Sequence, residues 1–99
     1  MNDKIYSILG MAQKAGRLIS GESMVVDSIR SGNAKLVIVA GDASDNSKKL
    51  YTDKCGSYNV KIFEYGEKEK MGYAIGKAER SAVAVEDEGF AKAILKVLD

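Results

Sequence analysis

The sequence predicts an α/β fold, a three-layer α-β-α sandwich built around a four-stranded sheet. Leu36 to Ala40 is an unbroken apolar run of strand length, as expected of a strand buried on both faces. It stops at Gly41-Asp42-Ala43-Ser44, small and polar residues that turn the chain into a capped helix. Helical and strand patterns alternate along the remaining sequence, which predicts helices on both faces of the sheet. In folds of this class ligands gather at the loops around strand ends, so functional residues are sought there.

Each element follows from its own pattern. Ile5, Ile8, Leu9 and Ala12 recur at helical spacing, predicting a first helix from about Asp3, its cap, to Lys14, with Gly16 ending it. Arg17-Leu18-Ile19 is a short strand, after which Ser20 or Gly21 opens a second helix. Val25, Val26 and Ile29 of that helix face inward, and it closes near Gly32. After the central strand, Ser44 or Asp42 caps a third helix with Leu50, Tyr51, Cys55 and Tyr58 along one side. Val60 to Tyr65 forms the next strand. A short helix around Lys68 to Ile75 buries Met71 and Ile75, Lys77 to Ser81 is a loop, and Ala82 to Val85 is the last strand. Asp87 caps a final helix whose core side carries Phe90, Ala91, Ile94, Leu95 and Leu98.

Composition narrows the chemistry. The 99 residues suffice for one domain, residues 1–99, with a core that needs no metal or disulfide. A single cysteine, Cys55, excludes an internal disulfide and fits a reducing cytosol. No apolar run reaches membrane-spanning length and Met1-Asn2-Asp3-Lys4 does not begin a signal peptide, so a cytoplasmic protein is expected. With no histidine there is no Ser-His-Asp triad, no Cys-His pair and no mixed Cys/His zinc site. No cofactor, metal or catalytic residue is expected. A formal net charge of +1 excludes a uniformly basic coat but allows a basic patch offset by acids such as Glu86-Asp87-Glu88.

Three segments could carry function. In Lys14 to Ser23 a strand leads through Ser20-Gly21 into a helix start, where free backbone N–H groups and the helix dipole favour an anion. Gly21 permits close backbone approach, and Lys14 and Arg17 add charge. In Lys77-Ala78-Glu79-Arg80-Ser81 a small residue between two cations suits an unstacked group flanked by phosphates. That reading strengthens if the loop lies beside Gly21. The third segment, Asp42-Ala43-Ser44 followed by Ser47-Lys48-Lys49, places an acid at the carboxyl end of a buried strand, as in phosphoacceptor receiver domains. It lacks the acidic pair that such domains carry after their first strand, and helix capping accounts for most of its signal.

Taken in order, these segments resemble the kink-turn-binding ribosomal protein family typified by archaeal ribosomal protein L-seven-Ae, and within it the bacterial YlxQ-type members. The resemblance runs from about Tyr6 to Leu98. It is carried by Ala15-Gly-Arg-Leu-Ile-Ser-Gly-Glu, Ala34-Lys-Leu-Val-Ile-Val-Ala-Gly-Asp-Ala-Ser, Thr52-Asp-Lys-Cys, Met71-Gly-Tyr-Ala-Ile-Gly-Lys and Ser81-Ala-Val-Ala-Val. It implies an α-β-α sandwich with a central four-stranded mixed sheet and a non-enzymatic, ribosome-associated protein. The ligand it implies is a kink-turn, a sharply bent RNA with tandem sheared G·A pairs. The second helix's start would read the guanines, and the loop before the last strand would shelter a flipped-out nucleotide.

Carried onto this chain, Gly21 supplies backbone donors, Glu22 and Ser23 touch base edges, and Ala78 with Glu79 and Ser81 flanks the unstacked base. Lys14, Arg17, Lys48, Lys68, Lys77 and Arg80 meet phosphates, and Ser44 matches a contact position. Where archaeal members have Gly-x-Asn-Glu-x-x-Lys, this chain has Gly21, Glu22, Ser23, Met24 and Asp27, and Tyr73 replaces a commonly basic residue. The expected partner is structured RNA bound by a monomer, without membrane or small-molecule substrate. Two alternatives stay open: a protein-interaction module of the same fold with weak or lost RNA binding, and a small-ligand or phosphoacceptor module centred on Asp42.

Overall fold

The structure, a computed structural model, describes residues 4–98. The chain runs α1 (Lys4–Lys14), β1 (Leu18–Ser20), α2 (Glu22–Ser31), β2 (Leu36–Val39), α3 (Asp45–Tyr58), β3 (Lys61–Glu64), α4 (Lys68–Ala74), β4 (Ala82–Val85) and α5 (Glu88–Leu98). The expected cap at Asp3 lies outside the described residues. Among the described residues, no helix is long and apolar enough to cross a membrane.

The four strands form one mixed sheet in the order β1-β4-β2-β3. β4 runs antiparallel to β1 and β2, pairing Ser20 with Val83 and Ile38 with Val83 from its two sides, while β3 runs parallel to β2. Helices α2 and α3 pack together, and α1 packs with α4 and α5, so the sheet is covered on both faces. That explains the continuous apolar run. Every residue from Leu36 to Ala40 and from Ala82 to Val85 is buried. Ile5, Leu9, Ile29, Met71 and Ile94 complete the core from the helices. Truncating one such side chain to alanine typically costs roughly 2–5 kcal/mol.

Local boundaries depart from expectation in three places. β1 begins at Leu18 rather than Arg17, although the Arg17 carbonyl still accepts the Glu86 amide at 2.8 Å, just beyond the ladder. β3 is shorter than Val60 to Tyr65 because the Val60 amide bonds back to the Cys55 carbonyl at 2.9 Å, closing α3. The apolar stripe of α3 ends a turn early. Tyr51 and Cys55 are buried, but Tyr58 is half-exposed where Asn59 takes a left-handed conformation and turns the chain towards β3. In α5, Ala91 and Ile94 are buried while Phe90, Leu95 and Leu98 pack at the margin of the core. Asp87 does cap this helix, its Oδ2 accepting the Phe90 amide at 2.9 Å.

One consequence of the topology positions everything functional. β1, β2 and β3 point the same way, each followed directly by a helix, and β4 points oppositely. The starts of α2, α3 and α4 and the loop leading into β4 therefore gather at one edge of the sheet. Helix starts carry a partial positive charge and unpaired N–H groups, so this edge favours anions before any side chain is considered.

Candidate functional site

The three helix starts at this edge are finished differently. Ser44 caps α3, its Oγ accepting the Ser47 amide at 3.1 Å. Asp42, one of two expected caps for α3, instead serves α4, with Oδ1 accepting the Lys68 amide at 2.8 Å. The N-cap of α2 is Gly21, which has no side chain to offer, so the first turn of α2 receives no side-chain cap. Gly21 sits at φ 96 and ψ 141, a conformation that residues with a Cβ rarely adopt. A Cβ there would meet nothing within 4 Å, so backbone conformation rather than crowding requires the glycine. Glu22, Ser23 and Met24, which follow the turn, are all exposed.

The loop of residues 77–81 is fastened beside it. Its middle lies flat on α4 at Gly72, where a Cβ would come within 2.0 Å of the Ala78 carbonyl oxygen. The Arg80 amide donates to the Lys68 carbonyl at 3.1 Å, and the Ala40 amide to the Ser81 carbonyl at 2.7 Å. The Arg80 side chain makes the link to the end of β1, just before α2. Its Nε donates to Ser20 Oγ at 3.0 Å, and Nη1 to the Glu79 carbonyl at 3.1 Å. These bonds fix the guanidinium at the rim of a cleft of about 210 Å³ lined by Gly21, Glu22, Ser47, Tyr51, Arg80 and Ser81, among others. Burial, and secondarily the Glu22 carboxylate, push the Tyr51 phenol above its ordinary pKa.

The residues singled out from the sequence fall into three groups. Gly21, Glu22, Glu79, Arg80 and Ser81 line the one cleft. Ser23 is exposed on the first turn of α2, while Lys77 and Ala78 are exposed on the loop. A second group borders the same edge but already has protein partners. Lys68 Nζ lies 3.9 Å from Glu79 Oε1, Lys48 Nζ lies 3.3 Å from Glu64 Oε1, and Ser44 is occupied in capping. Half-exposed pairs of this kind contribute little stability and exchange readily for another anion.

Lys14 and Arg17 are not brought to the cleft. Arg17 lies at the opposite end of β1, beside Glu86, roughly 10 Å along the strand from Ser20. Lys14 ends α1 and lines a separate groove with Tyr73 and Ile75. Proximity in sequence misled here, because β1 carries the chain along its length from the Arg17 end to the Ser20 end.

Sequence reasoning missed Ser20 as the partner of Arg80, and Ser47 and Tyr51 as cleft walls. Ser47 and Tyr51 are four apart on α3, and thus on one helix face, but nothing local says that this face meets Gly21. Asp42 also changes meaning, since the hydrogen bond to Lys68 gives its carboxylate a structural task.

Residues 3–95 match the Ribosomal protein L7Ae/L30e/S12e/Gadd45 family. The chain is 42% identical over 94 residues to the RNA-binding protein YlxQ of Bacillus subtilis, covering 95% of this chain and 94% of that protein. A solved structure of a protein of unknown function from Bacillus halodurans superimposes with a TM-score of 0.93 at 39% identity, covering 99% of both chains. The Giardia lamblia 15.5kD RNA binding protein shares the fold at a TM-score of 0.80 and 16% identity, covering 99% of this chain and 88% of that one.

Proposed function

Because the chain belongs to the Ribosomal protein L7Ae/L30e/S12e/Gadd45 family, we propose that it is a non-enzymatic RNA-binding protein that grips a kink-turn, in a ribosome-associated setting, between the start of α2 and the 77–81 loop. The observation that carries this reading is the 3.0 Å bond from Arg80 to Ser20. It joins two segments sixty residues apart into one notch, with uncapped helix amides on one wall and a guanidinium on the other. Backbone N–H groups and a fixed cation are what phosphates and guanine edges require. Ala78, exposed between Lys77 and Arg80, offers a small apolar surface for an unstacked base.

In this reading each residue has a task. The α2 amides and Ser23 meet base edges, Glu22 accepts from an exocyclic amine, and Arg80 and Lys77 neutralise phosphates. Lys48 and Lys68 trade their carboxylate partners for phosphates as RNA arrives. The salt dependence of binding then reports how many such exchanges occur. Asp42, with its carboxylate bonded to the α4 amide, is a poor phosphoacceptor. Lys14 and Arg17 lie too far from the notch to join the same contact.

A gel shift against several kink-turns, each paired with a mutant lacking its G·A pairs, tests the proposal. Preference for the intact member of each pair is the expected result. Equal affinity within pairs would reduce the function to general RNA attraction, and no shift at all would favour a protein-interaction module.

A further inference from the structure

A second feature lies where α1 meets α4. Gly10 lets the two helices approach closely, since a Cβ there would sit 3.0 Å from the Ala74 carbonyl oxygen. Beside that crossing runs a groove of about 730 Å³. Met11 and Lys14, three residues apart on α1, form one wall, and Lys70 and Tyr73, three apart on α4, form the other. Tyr73 is 86% exposed and Met11 is 53% exposed, so a large apolar surface is left open to water. Among the described residues, the groove is lined by two lysines and by no acidic residue.

We propose that this groove holds unpaired nucleotides of the same RNA, with a base stacked on Tyr73 and its phosphates near Lys14 and Lys70. The inference rests on the RNA-binding reading above and extends it. An aromatic platform flanked by cations suits a nucleobase and its anionic backbone, and Tyr73 with Lys14 and Lys70 supplies that pairing here. The groove also continues from the 77–81 loop. Gly76 lines it, the Gly76 amide bonds to the Tyr73 carbonyl at 3.1 Å, and the next residues carry Ala78 over Gly72. Ala78 lies over Gly72, and Tyr73 is the next residue of α4, so the two surfaces adjoin. The groove gives Lys14 a place in the interface that the notch does not.

The test compares one kink-turn with a version whose unpaired bulge is lengthened by two or three adenosines, one of them replaced by 2-aminopurine. Stacking on an aromatic side chain strengthens single-strand binding by about fivefold or more per base, so the lengthened RNA should gain at least that factor and show quenched fluorescence. Tyr73→Ala should remove the quenching and bring the ratio of lengthened to parent affinity, measured within the variant, back to about one. If neither RNA binds, the kink-turn reading fails and this proposal falls with it. If the parent binds but the added bases bring no gain, or the gain persists in Tyr73→Ala, the groove proposal alone fails. A photoreactive benzoylphenylalanine introduced at Tyr73 should crosslink to RNA in cells; crosslinking to polypeptide instead would overturn the assignment in favour of a protein occupant.

Discussion

Replacing Gly72 by alanine tests the link between fold and site directly. In a helix interior, Gly→Ala ordinarily stabilises by roughly 0.5–1 kcal/mol, because glycine loses more freedom on folding. Gly56 in α3 should behave that way, since a Cβ there meets nothing within 4 Å. Gly72 should not. Its Cβ would lie 2.0 Å from the Ala78 carbonyl oxygen, 2.6 Å from the Ala78 carbonyl carbon and 2.9 Å from Glu79 Cα. All three are backbone atoms, so the loop itself must retreat, by roughly 1.5 Å to reach ordinary contact distance.

That retreat stretches the Arg80 amide bond to Lys68, now 3.1 Å, beyond hydrogen-bonding range and drags Arg80 from Ser20. Overpacking costs about 1–3 kcal/mol, which outweighs the propensity gain and leaves a net loss of roughly 1–2 kcal/mol. In a domain this small the loss lowers Tm by roughly 5–15 °C, whereas Gly56→Ala should raise Tm by about 2–8 °C. Thermal unfolding of both variants beside the parent supplies the stability comparison. Titration with a kink-turn should then show Gly72→Ala binding at least about tenfold more weakly, as expected when a contact loop is displaced by more than an ångström. A Gly72→Ala protein that is more stable than the parent and binds RNA equally well would refute the argument.

Other perturbations separate the remaining contributions. Arg80→Ala should weaken RNA binding and lower the salt-dependence slope by about one unit; Arg80→Lys should restore the slope but not the full affinity, lacking the Nε that bonds Ser20. An unchanged slope in Arg80→Ala would remove this residue from the phosphate contacts. Gly21→Ala should cost about 1–3 kcal/mol through backbone strain alone, read as a shift in denaturant midpoint, and an unaltered midpoint would refute the strain. Burial pushes the Cys55 thiol from 9.0 up to about 11. The native state therefore holds this proton when the unfolded chain has lost it, so stability should be intact below pH 9 and fall between pH 9 and 11, by roughly 2 kcal/mol. Tyr51, raised for the same main reason, adds to the fall above pH 10, its ordinary pKa being 10.0. Denaturant midpoints at pH 8 and 10.5 measure the effect, and Cys55→Ala should flatten it; an equally steep fall in that variant would show that the thiol is not its source.

What the sequence alone determined is the kind and order of elements and the chemistry of the two turns. The apolar run Leu36 to Ala40 pointed to a strand covered on both faces, which the structure ends at Val39, and Gly21 and the 77–81 loop were recognisable because glycine, a small residue and paired cations are local signals. Only the tertiary structure decided which of these meet. Strand direction put three helix starts at one edge, register put Arg17 at the other, and long-range bonds gave Ser20 to Arg80 and Asp42 to the α4 amide. The physical reason is that periodicity encodes which face of an element is buried, whereas the partner across the sheet depends on pairings between residues 25 to 67 positions apart, for which a single chain carries no local mark.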